Sequence, residues 1–365
     1  LVPGPVALSA LATLVLDDPE VLAALMTGER TAGFALRADL TVADGRATGS
    51  ADHVLGAVAG GYVLLPAPDG WVLVDTTADG VAVEALTATD FTRPLGRVVL
   101  DGALVVPIAM PSRRIEDLAV AVLAAEAAGV TRWALRTAVD YAKVREQFGK
   151  PIGSFQAIKH MCAEMLLRSE QASVAAADAA RAADGDDADQ LALAAAVAAA
   201  TVIEAATANT KDCIQVLGGI GFTFEHPAHL YLRSALGAAV TLGHAHRQAV
   251  DLAKDGLRGA RRVFEVDLSA VDDQRDKVRA DVAHIAAATG DERRRALAES
   301  GYLMPHWPAP YGLSASPALQ LLIDAEFDAA GVVRPDLVIA GWAIPTILQH
   351  GTDAQRRRFV APTLA

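Results

Sequence analysis

From Pro111 onward, apolar residues recur at helical spacing and keep doing so over four long stretches: 114–147, 154–183, 189–217 and Pro227 to about 256. No other feature limits the fold as strongly. Long amphipathic helices joined by short connections must bury their apolar stripes against one another, and an antiparallel four-helix bundle does so. Apolar residues make up 52% of the 365 but aromatics only 5%, so the stripes are Ala, Leu and Val, which favours close packing. In the first helix Leu118, Val122, Ala125, Trp133, Ala134 and Ala138 are available for packing. Gly129 falls on the same stripe, where it costs helix propensity but leaves room for a close neighbour. The longest apolar run, Leu191 to Ile203, has 13 residues; it is too short to span a bilayer and reads as a buried helix.

Ahead of the bundle the period changes twice. Residues 5–27 carry helical spacing, with Asp17-Asp18-Pro19 as a restart signal. Then the segments 33–40, 47–56, 61–66, 71–76, 81–87 and 95–102, short and rich in Val and Leu, alternate with the turn sequences Asp44-Gly45, Pro68-Asp69-Gly70, Asp79-Gly80 and Asp101-Gly102. That is the pattern of antiparallel hairpins, so 33–107 reads as a compact β domain. Beyond the bundle, 257–272 reads as a linker and a new helical set begins near Asp273. The expected fold class is α+β, mostly α.

Several function classes are excluded by composition. A net charge of −12, without a basic patch of useful size, argues against nucleic acid. The runs Arg293-Arg294-Arg295 and Arg356-Arg357-Arg358 are interleaved with acids and read as solvated helix faces. Cys162 and Cys213 lie in apolar helical surroundings; they read as small core residues and fit a reducing cytoplasm. The chain opens on no charged n-region or cleavage site. A cytoplasmic location without membrane or metal is the expectation.

The residues able to do chemistry gather at one helix end. Arg145 is followed by Phe148 and Gln156, and about sixty residues later come Gln215 and Gly218-Gly219-Ile-Gly221. Arginine supplies a permanent planar charge for a pyrophosphate, phenylalanine a face for a base, and glycines let backbone N–H groups approach closely. This is a kit for an anionic, adenine-bearing cofactor. Singly, each piece has a plainer meaning: Arg145 as a solvated charge favoured by the helix dipole, Phe148 and Phe155 as core, the glycines as a turn.

In this order, Tyr141-Ala-Lys-Val-Arg145-Glu-Gln-Phe148-Gly149-Lys-Pro151-Ile-Gly-Ser-Phe155-Gln156, then Gln215 to Phe222, His226-Pro227 and Arg233, the chain resembles the C-terminal helical domain of the acyl-CoA dehydrogenase family. That domain holds FAD, and the resemblance implies cofactor contacts at Arg145, Phe148, Gln156, Gln215, Gly218 and Gly219. Further on, Gly301-Tyr302, Trp307-Pro308, Tyr311-Gly312 and the run from Gly341 to Thr352 resemble the N-terminal helical domain with which a family member starts. The order is therefore inverted relative to a single member. Two copies fused head to tail account for it: the end of a first N-terminal helical domain (1–32), a β domain (33–107), a four-helix bundle (108–256), a linker (257–272) and the N-terminal helical domain of a second copy (273–365). Both chain ends look like excerpt boundaries, and the Ala-rich composition suits a high-GC bacterium.

The first copy departs from the family where chemistry is expected. Family members abstract a proton α to a thioester with a carboxylate held in a dry pocket. At the usual position, in an Ile-Tyr-Glu-Gly-Thr loop, the chain reads Val240-Thr241-Leu242-Gly243-His244; at the alternative position, 22 residues before Tyr141, it has Ala119. Glu116 and Asp117 are the nearest carboxylates and read as a solvated helix start. The flavin-facing signature is replaced by Phe34-Ala-Leu-Arg37-Ala-Asp39, and the Trp-Ile-Thr element by His53-Val-Leu-Gly56. The resemblance thus implies a copy without a catalytic residue that supplies the ADP-side contacts to FAD shared with a partner copy. It is similar to the two-component acyl-CoA dehydrogenases of actinobacterial steroid side-chain degradation. Implied partners are an acyl-CoA substrate, an electron-transfer flavoprotein and a second full-length chain. The alternatives are a flavin-free assembly protein of the same fold, and an acyl-CoA oxidase.

Overall fold

The chain forms two compact units, residues 1–263 and 264–365. The computed structural model describes residues 6–242, 254, 256, 259–263 and 266–364.

In the first unit, α1 (Val6–Val15) and α2 (Pro19–Thr27) are separated where the Asp-Asp-Pro signal falls. Asp18 caps α2, its carboxylate accepting from the N–H groups of Glu20 and Val21, while Pro19 fills the first turn, where no donor is needed. Gly28, at φ +73°, closes the helix in the left-handed region.

Eight strands follow as one sheet: β1 (Ala32–Phe34), β2 (Asp39–Ala43), β3 (Arg46–Leu55), β4 (Tyr62–Ala67), β5 (Gly70–Asp75), β6 (Val81–Leu86), β7 (Leu95–Leu104) and β8 (Val106–Ile108). Their order is β6-β7-β3-β1-β4-β5-β8, with β2 on β3. All pairs are antiparallel except β1 beside β4. The stretch 33–40, expected as one strand, is split between β1 and β2. Asp101-Gly102, expected as a turn, lies inside β7: Gly102 (φ +65°) takes up an extra residue opposite Thr48 as a bulge, and the strand runs on to Leu104. Alternation along β4 and β5 serves two cores. Tyr62, Leu64, Trp71 and Leu73 face the helices, whereas Val63, Leu65, Val72 and Val74 join a core built between strands.

The bundle consists of α3 (Ser112–Val144), α4 (Gln156–Asp184), α5 (Ala188–Leu217) and α6 (Ala228–Thr241). The fourth helix was expected to reach about 256; most residues after Leu242 lie outside those described. The first was expected to reach 147, but it stops at Val144. Gly129 is exposed and a Cβ there would meet nothing within 4 Å, so the close approach expected at it does not occur. Close packing comes instead from alanines such as Ala124, Ala127, Ala128, Ala172, Ala198 and Ala199. A buried Asn209 ties three helices. Its Nδ2 donates to the carbonyls of Met165 (2.9 Å) and Thr131 (3.4 Å), and its Oδ1 accepts from Arg168 Nε (2.9 Å). The segments Ser112–Val144 and Ala188–Phe222 are long and apolar enough to cross a membrane, yet more than half of the most apolar window of each is buried inside the protein.

The second unit is helical among its described residues: α7 (Arg275–Ala287), α8 (Gly290–Glu299), α9 (Pro317–Ala330), α10 (Ile339–His350) and α11 (Asp353–Leu364). They enclose a core of Val278, Val282, Ile285, Leu297, Phe327 and Ile344. The loop after α8 is part of that core. Tyr302 and Trp307 are each 2% exposed, and the Tyr302 hydroxyl donates to Asp281 (2.8 Å). Gly312 has no room for a side chain, since a Cβ would lie 2.4 Å from the Met304 carbonyl.

Candidate functional site

At the end of α3 the backbone of Arg145 turns extended, and Glu146–Gln147 pairs with Lys150–Pro151 as a two-residue hairpin, β9 and β10. Phe148 and Gly149 form its turn, at φ +56° and +77°, the type I′ geometry that hairpin twist favours. For a phenylalanine the left-handed region is uncommon. It holds the ring outward, 93% exposed, edge-on to Phe155 at 6.0 Å. The plainer expectation that Phe148 is core is therefore overturned. Gln156 opens α4, exposed.

Because α3 and α5 run toward this end and α4 and α6 away from it, Gln215, Gly218 and Gly219 arrive at the same end of the bundle as Arg145, Phe148 and Gln156. A cluster of Ala142, Met165, Cys213, Val216, Leu217 and Ala228 packs beneath them. Gly221 is needed for packing, since a Cβ would stand 2.7 Å from the Ile214 carbonyl. Gly218, at φ +63°, closes α5. Gly219 has neither reason: its φ is ordinary, and a Cβ would meet nothing within 4 Å. Arg145 and Gln215 are exposed, and among the described residues no hydrogen bond or ion pair engages the Arg145 guanidinium. Phe222 and Phe224 add two more rings, 78% and 74% exposed.

A second locus lies between the sheet and α6, a cavity of about 830 Å³. Phe34 to Arg37, His53 and Leu55 line it from the sheet, and Leu236, Gly237, Val240 and Thr241 from α6. The fold thus brings together the three stretches in which the sequence departs from the family. His53 has φ +57° and sits at the irregularity of β3 between Ala51 and Val54. Leu242, where a base is usual, is 3% exposed in the main core; Ala119 is fully buried there too. Gly243 and His244 lie outside the described residues. Asp117 is not a solvated helix start: it is 1% exposed, accepts from Arg113 Nε at 2.9 Å, and burial pushes its carboxyl up against the opposing pull of Arg113. Glu116 is half-buried and also pushed up by burial. Neither is among the described residues that line the cavity.

Two of the lining residues that no functional motif marks, Asp90 and Arg93, hold the wall of the cavity in place. Asp90 accepts from the Thr92 N–H (2.9 Å), the Thr92 hydroxyl (2.6 Å) and Arg93 Nε (3.2 Å), and Arg93 reaches Glu126 of α3 at 2.6 Å. The loop 87–94 is thereby clamped on the bundle. Arg233 holds it from α6, donating to the Thr89 carbonyl (3.1 Å) with its guanidinium 4.2 Å above the Phe91 ring. Asp-x-Thr is a local turn signal legible in sequence; Glu126 as partner is not. A proton-abstracting carboxylate needs a free lone pair aimed at the substrate. The described carboxylates on the cavity, Asp90 and Asp52, are ion-paired, Asp52 with Arg97 at 3.0 Å.

The two loci bear on different parts of the chemistry, an adenosine diphosphate group at one and a proton-abstracting base at the other. The bundle end fits the first, with a guanidinium that no described residue engages, outward-held aromatic rings and a glycine that packing does not require. The cavity supplies no unpaired carboxylate among its described lining residues.

An α+β chain with a small sheet and a four-helix bundle defines a class, and comparisons with known proteins agree. The family profile "Acyl-CoA dehydrogenase, C-terminal domain" matches residues 119–257, and "Acyl-CoA dehydrogenase, N-terminal domain" matches 269–365. The acyl-CoA dehydrogenase FadE34 of Mycobacterium tuberculosis is 58% identical over 366 residues, all of this chain and 52% of FadE34, so the chain spans about half the length of that relative. IpdE2 of the same organism, also an acyl-CoA dehydrogenase, is 33% identical over 66% of the chain and 69% of its own length. Among solved structures, a variant of the Tcur3481-Tcur3483 steroid ACAD superposes with a TM-score of 0.62 at 26% identity, covering 70% of this chain and 76% of that one. The chain belongs to the acyl-CoA dehydrogenase family, whose members use FAD.

Proposed function

We propose that this chain supplies the non-catalytic copy of a two-copy, FAD-dependent acyl-CoA dehydrogenase, together with the first helical domain of the copy that catalyses. The observation that carries this is the exposed cofactor kit at the bundle end, kept in a copy whose base positions hold Leu242 and Ala119. Arg145 binds the pyrophosphate as a bidentate fork, Phe148 and Phe155 offer faces to adenine, and Gly218-Gly219 admits backbone N–H groups. Held there, FAD would supply the hydride acceptor for α,β-desaturation of an acyl-CoA thioester, its ring directed to the partner copy, and an electron-transfer flavoprotein would take the electrons onward. The solved neighbour described as a steroid ACAD supports a bulky CoA ester as substrate. Exposed Leu166, Leu167 and Val174 on α4 and Val197 on α5 support an assembly of two full-length chains packed through these helices, since apolar faces of this kind are costly to leave wet.

Arg145→Ala in the full-length protein tests the proposal. Loss of a charge-assisted contact costs about 1.5–3 kcal/mol, a roughly ten- to hundred-fold drop in FAD affinity. The variant should purify with less flavin, regain activity in excess FAD and keep its helical signal. Stoichiometric FAD retained through dialysis would leave the arginine a surface charge. A wild-type protein that purifies without flavin would favour the flavin-free assembly protein.

A further inference from the structure

We propose that residues 260–263, through which the first unit connects to the second, are a docked strap and not a passive tether. α4 and α5 recognise this segment on both its side chain and its backbone. Arg262 donates from Nε and Nη2 to the two oxygens of Asp178 on α4, at 3.0 and 2.9 Å, the fork-to-carboxylate geometry that gives an ion pair direction as well as energy. Both side chains are largely shielded, 19% and 16% exposed, unlike an ordinary surface pair.

Gln190, in the first turn of α5, holds the same segment by its backbone as well. Its Oε1 accepts from the Val263 N–H at 2.7 Å and from Arg262 Nη1 at 2.5 Å, while its Nε2 donates to the Arg261 carbonyl at 3.1 Å. One carboxamide thus satisfies a backbone donor and a backbone acceptor of the same short segment. The platform is itself braced: Arg114 of α3 donates to the carbonyls of Ala183 and Gly185, fixing the connection between α4 and α5.

Position gives the strap its consequence. Gln190 and Gly218 lie at opposite ends of α5, about 42 Å apart at 1.5 Å per residue. The chain therefore leaves the first unit from a fixed point at the end of the bundle remote from Arg145 and Gly218-Gly219. The strap stands on its own contacts, independently of the FAD proposal.

Limited proteolysis of the full-length protein reads it directly, because trypsin cuts after Arg261 and Arg262 only when the strap is released. When opening is fast, cleavage follows the population of the open form. Asp178→Ala and, separately, Gln190→Ala should accelerate cleavage at these two bonds roughly ten- to a hundred-fold, the range expected for losing charge-assisted hydrogen bonds. The helical signal and thermal midpoint of the bundle should hardly change. Hydrogen exchange at the Val263 amide should speed up in parallel in both variants. If the wild-type protein is cut at Arg261 as fast as the variants, or Val263 exchanges at the same rate in all three, the segment is a free tether and the inference fails.

Discussion

Arg93 stands between two carboxylates, and its removal would strand both. Its side chain is 6% exposed, as is that of Asp90, and Glu126 is 18% exposed. Nε meets Asp90 at 3.2 Å and Nη2 meets Glu126 at 2.6 Å. Arg93→Met preserves much of the side-chain volume and deletes the cation. Breaking a buried pair from one side costs about 3–5 kcal/mol, because a charge is left in low dielectric without its partner. Asp90 keeps its two donors from Thr92, so the lower end of that range applies. At this chain length each kcal/mol moves the midpoint by about 2–4 °C, and the expected loss is roughly 6–12 °C. Thermal unfolding followed by far-ultraviolet circular dichroism measures it. Arg93→Met with Glu126→Gln should recover part of the deficit, since the second change removes one stranded charge. A single variant within about 1 kcal/mol of wild type would mean that the loop 87–94 is not clamped through Arg93.

Asn209→Leu should destabilise the bundle by about 2–4 kcal/mol in the same assay, because it removes three hydrogen bonds and leaves Arg168 Nε without its acceptor; a neutral result would make the network dispensable. The Arg30 guanidinium beside Asp75 holds that carboxyl well below the usual range, helped by Thr77. A depressed folded pKa gives stability that is full above the unfolded value near 3.9 and is lost as pH falls toward the folded one. The advantage of wild type over Asp75→Asn should therefore be level from pH 7 to about 4.5 and shrink only in stronger acid; an advantage already falling between pH 7 and 5 would refute the assignment. Burial pushes the Cys213 thiol up to about 12, and Cys162 is raised too, so native protein at pH 8 should resist iodoacetamide and react at both cysteines once denatured.

How much of this was legible in the sequence depends on how far apart the deciding partners lie. Elements set by local chemistry were readable: Asp18 and Pro19 restart a helix, and Asp44-Gly45, with both residues at positive φ, turns a hairpin. Misreadings arose where tertiary pairing overrode a local signal. Asp101-Gly102 has the chemistry of a turn, but pairing of β7 with β3 on both sides converts it into a bulge. Gly129 matched a stripe of period four, yet α3 buries a broader set of positions and leaves that edge in solvent. Asp117 looks like any acid in a first turn until the fold around α3 buries it.

The candidate site divides in the same way. Arg145, Phe148 and Gln156 lie within twelve residues and are singled out by the resemblance to the family, and the hairpin between them is short enough for its turn residues to define it. Gln215 and the glycines join them because antiparallel helices bring every second terminus to the same end, which follows from counting helices. The clamp between Arg93 and Glu126 and the latch between Asp178 and Arg262 span 33 and 84 residues. Each joins residue types that are mostly solvated on helix surfaces, so nothing local marks them. An ion pair is specified by where two backbones happen to pass, and a sequence gives that only after the packing of alanine faces has fixed how far apart the helices run.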